Sequence, residues 1–444
     1  MDDRRGERWR RAVRAATTLA LLAIVGGLGL LSFGDERPHV DEVYWIGSAY
    51  YFDLAVVRGE LDHPDWRLLP ARENPPMGKY LIGAALYAGG IRVKTLDALG
   101  SYYLTFWEWG EGEDRAKRQA VVDRMTPGVE RSVRLATYRP IRPTELYIGR
   151  ALVILLGFGS ALGVASIGRA CSGRATGAIA SLAFASHPII ILAYARTLVD
   201  IIALFFSIVA VRLLLATLRP AFGGPGRSRA ATTGLGIATG LALALACGSK
   251  MNALVVAALA GVVWLRLVVR AIGPAGRSAR APAVGLGIGG LVAAAVFVGS
   301  NPALYPDLRS GLFALMEEHR RTAQLQVAFL GKHIWLDPGA DRLLAVAKLV
   351  GIRPEAFLAV VLAAAWQSVD GLRRFSHNTV VCLWWWISVA LVVVWIPFAW
   401  ERYAAPAVPP SVLVVAKTLV DAIGAVRHRS ARWRGGGSVP GPVD

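Results

Sequence analysis

What most constrains this chain is a series of ten long apolar blocks separated by charged segments. They run approximately 16–33, 146–167, 175–194, 199–217, 233–248, 253–269, 284–299, 352–366, 380–397 and 404–423. A helix crossing the hydrocarbon core needs roughly 20 mostly apolar residues, and in lipid only helices and closed barrels satisfy their backbone polar groups. The blocks therefore predict an all-α polytopic membrane protein with about ten transmembrane helices. Composition agrees: 18% of residues are charged, against about 25% in soluble domains, so a water-soluble globule is excluded. Pro354 and Glu355 lie in the eighth block and make its start interfacial. Glycine is frequent within the blocks, as membrane helices allow for close packing.

The formal charge is +18, and only seven of the 49 basic residues are lysines. Such an excess suggests nucleic acid or an anionic surface, but its distribution points elsewhere. With the N-terminus inside, inner segments carry Arg4, Arg5, Arg8, Arg169, Arg174, Arg219, Arg266, Arg270, Arg373, Arg374, Arg427 and Arg429. That is the positive-inside pattern. The expectation is a plasma (inner) membrane protein with both termini cytoplasmic and no nucleic-acid partner. The first block is read as a signal anchor, since it lacks a small-residue cleavage site. Cys171, Cys247 and Cys382 show no CxxC spacing, which argues against disulfides or a zinc knuckle.

These blocks divide the chain into a basic N-terminus (1–15), a first span (16–33), a long outer loop (34–145), spans two to seven (146–299), a second outer loop (300–342), spans eight to ten (343–423) and a basic, flexible tail (424–444). Loops this long are usually functional. Within the first, 80–91 is apolar but too short to span, and fits an interfacial helix. The stretch 92–145 is nearly balanced in charge. Neither an internal repeat nor the broken helix halves of transporters are expected.

Six polar clusters fall on the predicted outer side. Asp41 and Glu42, followed by Tyr44, lie just beyond span one. Neighbouring carboxylates on a helix point differently, so one can serve as a general base while the other makes a structural contact; position alone also fits a hydrated acidic turn capping the helix. Glu73, Asn74, Pro75, Pro76, Met77, Gly78 and Lys79 follow. The prolines fix an extended approach, Gly78 allows a turn, and Lys79 either meets a lipid phosphate or snorkels. Arg196 and Asp200 mark the junction of spans three and four, Asp200 being either a functional ion or an N-cap. Lys250 ends span five, Asn301 opens the second outer loop, and Arg402 and Tyr403 precede span ten. Carboxylates and cations on one face suit an anionic, lipid-linked substrate. Cations there can stabilise a leaving phosphate without metal. No HxxH, HExxH or DxD triplet occurs. No cofactor is indicated, although His39 and His63, which share a loop with Asp41, leave a metal assembled in space open.

Taken together and in order, Asp41-Glu42-Val43-Tyr44, Asn74-Pro75-Pro76-Met77-Gly78-Lys79-Tyr80, Arg196-Thr197-Leu198-Val199-Asp200, Gly248-Ser249-Lys250, Asn301-Pro302 and Arg402-Tyr403-Ala404-Ala405-Pro406 resemble the GT-C membrane glycosyltransferases. The resemblance is to the group of dolichyl-phosphate-mannose–protein mannosyltransferases and the lipid A aminoarabinose transferase, over about residues 30 to 415. It implies a GT-C-like fold and an inverting transfer of a mannosyl, arabinosyl or related sugar from a polyprenyl-phosphate donor on the extracytoplasmic face. It further implies Asp41 as base with Glu42 beside it, and Asp200 near sugar or acceptor. Tyr44, Glu73, Pro75, Pro76, Arg196 and Asn301 are expected to line the substrate. Lys79, Lys250, Arg402 and Tyr403 are expected near the donor phosphate. The acceptor, whether glycan, lipid or protein, stays open. Membrane lipids are the remaining partners. The alternatives are a sugar-lipid flippase or transporter, and a non-catalytic scaffold subunit.

Overall fold

The computed structural model describes residues 12, 15–34, 38–96, 141–223, 228–273, 276–317, 335–373, 375–396 and 398–435. The expectations for 97–140, for the extreme N-terminus and for the Gly/Pro-rich end of the tail lie outside them. The described residues are almost wholly helical; the only β feature among them is an isolated bridge between Trp335 and Phe398.

The apolar blocks become helices. Among the described residues seven are long and apolar enough to cross a membrane, and two further pairs pass together as bent units. Besides the shorter apolar helix α1 (Ala15–Leu31), the framework consists of α2 (Val40–Gly47), α3 (Met77–Ala88), α4 (Pro143–Ser172), α5 (Arg174–Ala185), α6 (Pro188–Ala195), α7 (Val199–Leu218) and α8 (Arg229–Ser249). It continues with α9 (Leu254–Ile272), α10 (Arg277–Gly299), α11 (Ala340–Gly351), α12 (Pro354–Arg373), α13 (His377–Trp395) and α14 (Val408–Gly435).

The bent pairs correct the expectation of unbroken spans. Helices α5 and α6 meet at 63°, and α11 and α12 at 90°. Both breaks precede a proline, Pro188 or Pro354, which cannot donate the hydrogen bond that would continue the helix. At the first break the His187 ring accepts the Ile189 N–H, and its other nitrogen lies 3.1 Å from the Val350 carbonyl at the second. Ile352, beside Val350, is the only non-glycine residue with positive φ (65°) among those described. One imidazole thus bonds the end of α11 to the start of α6.

Helix association in lipid depends on close packing and internal hydrogen bonds rather than on burial from water. The seam between α8 and α10 is built from backbone: a Cβ at Gly240 would overlap the Gly289 carbonyl. Elsewhere polar side chains tie helices together. The Gln367 amide donates to the Val414 carbonyl (2.9 Å) and Thr418 Oγ1 (2.7 Å), and the Trp385 indole donates to Ser411 (2.9 Å). Arg212 donates to Ser166 (2.7 Å) and joins α7 to α4.

The short apolar helix expected over 80–91 forms three residues earlier, as α3. It buries Lys79, Ile82, Gly83 and Leu86 against α2, α4, α7 and α8. Gly78 makes no turn. It lies inside α3, where a Cβ would run into the Val199 side chain. Its role is close approach, which sets the start of α3 against the ends of α7 and α8.

Candidate active site

The polar clusters, far apart in sequence, meet at one end of the bundle. The convergence begins at the start of α2, where His39 is the N-cap. Its Nδ1 accepts the Asp41 N–H at 3.2 Å, and the Glu42 carboxylate returns to accept the His39 N–H at 3.0 Å. This reciprocal capping box fixes the first turn. It also fixes where the two adjacent acids point, since consecutive residues on a helix lie about 100° apart.

Glu42 turns inward and is wholly buried. Arg150 of α4 grips it in a fork, Nε to Oε1 at 2.9 Å and a terminal nitrogen to Oε2 at 2.7 Å. The Thr197 N–H adds a bond to Oε1 at 2.9 Å. With the His39 N–H, four donors meet the roughly four lone-pair sites of a carboxylate. The four donors occupy the acceptor sites of Glu42, which ties α2, α4 and the α6–α7 junction together. Arg150 was not singled out in the sequence, and Thr197 stood there only as part of the Arg196–Asp200 motif. The available signal was Arg150 itself, a charge inside an apolar block, where ionisable groups are rarely idle.

Asp41 turns the other way and keeps 23% of its side chain exposed. Its Oδ2 accepts from Arg402 at 2.7 Å, while Oδ1 takes no hydrogen bond among the described residues. Arg402 is held over the rings of Trp400 (4.7 Å) and Tyr403 (5.7 Å), contacts favourable to a guanidinium. The cation expected at the donor phosphate thus reaches the proposed base. His39, 3.8 Å from Asp41, has its pKa lowered chiefly by burial, with the charges of Arg196 and Arg402 adding and those of Asp41 and Glu42 opposing.

Glu73 enters the same cluster. Burial raises its pKa, opposed by a hydrogen bond from Tyr44 and by the charges of Lys79 and Arg402. Lys79 is fully buried rather than snorkelling. It donates to the Pro70 carbonyl and to the Asn74 carbonyl (2.6 Å), with the Tyr51 ring 5.5 Å away. Burial depresses its pKa to about 7, and the Glu73 charge works against that shift. Pro75 and Pro76, both buried, carry the chain from that carbonyl into α3. Lys79 therefore braces a loop.

Asp200 and Lys250 form a second buried pair, Oδ1 to Nζ at 2.5 Å. Tyr403 lies 5.9 Å from the ammonium and bridges this pair to Arg402. Among the described residues Asp200 is the only hydrogen-bond acceptor for Lys250, so two of its three N–H donors are unused. Arg196, half-buried, forms no ion pair among the described residues, and its charge is felt at His39. Asn301 is wholly buried with neither amide atom hydrogen-bonded among the described residues. The preceding Ser300 carbonyl accepts from Tyr80 at 3.0 Å and anchors the second loop to α3. No group of three or more metal-ligating side chains occurs among the described residues.

The fold has counterparts of known structure. Archaeal oligosaccharyltransferase AglB from Archaeoglobus fulgidus, solved with an inhibitory peptide and a dolichol-phosphate, superposes with a TM-score of 0.54 over 99% of this chain and 53% of its own, at 12% identity. ArnT from Cupriavidus metallidurans bound to undecaprenyl phosphate gives a TM-score of 0.54 over 91% of this chain and 60% of its own, at 16% identity. This chain has the GT-C fold. Residues 143–286, from the start of α4 into α10, match the model of the dolichyl-phosphate-mannose-protein mannosyltransferase family. The expected resemblance to that group is thereby met. The chain spans between about half and three-fifths of the length of these solved proteins. No curated protein matches it.

Proposed function

We propose that the chain is a membrane glycosyltransferase that moves a sugar from a polyprenyl-phosphate donor to an acceptor hydroxyl at the extracytoplasmic face, by a single inverting displacement. The observation that carries this reading is the division of labour between adjacent acids: Glu42 is saturated, while Asp41 keeps one oxygen unbonded at a partly exposed position. The resemblance to polyprenyl-phosphate-binding proteins supports the donor class.

In this reading Asp41 Oδ1 accepts the proton of the acceptor hydroxyl as its oxygen bonds to the anomeric carbon. The bond from that carbon to the phosphate oxygen breaks on the opposite face, and the electron pair leaves with the lipid phosphate. Lys250, with two donors unused, and Arg196, with no carboxylate partner among the described residues, are the cations available to that phosphate. Asp200 holds Lys250 in place. Arg402 orients Asp41 through its contact with Oδ2. Lys79 and Glu73 shape the loop around them. Charge stabilisation by positioned cations in a partly enclosed site is a large source of rate enhancement.

A second reading, translocation of a sugar-lipid, is favoured by one observation, the two bent helix pairs, since broken helices mark many transporter sites. A single assay separates the two: protein in lipid nanodiscs is given polyprenyl-phosphate mannose, and free polyprenyl phosphate is measured. Release that Asp41→Asn abolishes supports the transferase. Movement of the intact donor between leaflets in proteoliposomes, with no release, supports translocation.

A further inference from the structure

A cleft of about 680 Å³ opens between the first polar loop and the segment that follows α10. Its volume lies within the range of small-molecule sites, and the function proposed above leaves it without a role. One wall carries Asp62, Trp66, Arg67 and Arg72; the other carries Tyr305 and Asp307. The chain leaves that first wall at Arg72 and enters the Asp41 cluster at the next residue, Glu73, whose carboxyl senses both Asp41 and Arg402. The opposite wall begins at Pro302, directly after the buried, unpartnered amide of Asn301.

The charges in this cleft do not neutralise one another. Asp62, Arg67 and Arg72 form no ion pair among the described residues, and Asp307 takes only local bonds, from Ser310 and from the Arg309 N–H at 3.1 Å. Two guanidiniums supply donors only, and two carboxylates supply acceptors only. Opposite charges in equal number give little pull on a strongly charged ligand but can bond a molecule rich in groups that both donate and accept. Trp66 on the first wall is buried against Tyr51, whereas Tyr305 on the second is 45% exposed. The electron-rich face of an aromatic ring attracts the partly positive C–H groups of a sugar ring.

We infer that this cleft binds the acceptor and that the acceptor is a carbohydrate of low net charge, presented with one hydroxyl toward Asp41. The inference rests on the transferase reading for the word acceptor, and on the cleft alone for the ligand class. The test uses the full chain in nanodiscs and neutral tetrasaccharides of mannose and of arabinose as probes, titrated by NMR without turnover. Wild-type protein binds at least one of them. The double variant Asp62→Asn/Arg67→Gln, changed at exposed positions, weakens its Kd tenfold or more. Ala314→Trp, which fills the cleft from the opposite wall, abolishes binding while leaving polyprenyl-phosphate release to water within twofold. Failure of both tetrasaccharides to bind, or binding unmoved by these variants, overturns the inference. So does stronger competition by a phosphorylated tetrasaccharide or by a serine/threonine peptide. Absence of lipid-phosphate release in every form breaks the transferase reading instead, and tetrasaccharide binding lost in Ala314→Trp then still supports the cleft.

Discussion

The closed knot around Glu42 and the open edge around Asp41 start from adjacent residues of one helical turn and end as opposites. The first buries a carboxylate with four donors from three segments. The second leaves a carboxylate partly in solvent, with one arginine on one oxygen. The comparison teaches that adjacent acids in one helical turn can be held in opposite environments. The capping box at His39 decides which acid faces which way. Stability and activity should therefore separate cleanly between the two positions.

The largest expected effect breaks the knot. Glu42→Gln leaves Arg150 buried beside a neutral amide that cannot accept from both ends of its fork. Removing one partner of a buried pair costs about 3–5 kcal/mol. The expected outcome is a large fall in folded yield and in Tm in detergent; a variant with wild-type Tm would show that the knot is dispensable. Asp41→Asn is the mirror case. Its Tm should stay within a few degrees while sugar transfer falls by about 10²–10⁴-fold, the usual worth of a positioned general base. Loss of fold in this variant would erase the distinction.

Next comes the second pair. Lys250→Met leaves Asp200 buried without its cation, so it should lower both stability and donor use. The double variant Asp200→Asn/Lys250→Met should recover much of the stability and none of the donor use. A double-mutant cycle on Tm and on the donor KM checks this; recovered donor use would remove Lys250 from the phosphate.

A smaller effect concerns pH. The Lys79 pKa is depressed to about 7 by burial, against about 10.4 in an unfolded chain. Between these values the unfolded state holds the proton and the folded state does not, so stability should rise as pH increases from about 7 to 10. Lys79→Met should flatten that part of the stability curve in a detergent melt series. An unchanged slope would assign it to another group.

How far the sequence alone reached differs between these same regions. The helices were legible because lipid demands long apolar runs: each of the ten blocks corresponds to a long apolar helix, a bent pair or α1. Where polar residues gather was legible too, since they interrupt that pattern. Their partners were not. Arg402 to Asp41 and Lys250 to Asp200 are contacts across hundreds or tens of residues, set by how helices cross. The same holds for the Arg150 fork on Glu42, although an arginine in an apolar block was a visible sign. Lys79 read as a cation that meets a lipid phosphate or snorkels, because its carbonyl partners at Pro70 and Asn74 depend on how that loop folds back. The two breaks were half visible. Pro188 and Pro354 stood in the sequence, but the angles depend on the contact between His187 and Val350.

In the proposed reaction Asp41, and not Glu42, receives the acceptor proton. The most direct test measures transfer from polyprenyl-phosphate mannose in nanodiscs for Asp41→Asn, in protein whose Tm matches wild type. Transfer should fall at least about a hundredfold below wild type, with donor binding retained. Transfer at the wild-type rate by folded Asp41→Asn protein would contradict it.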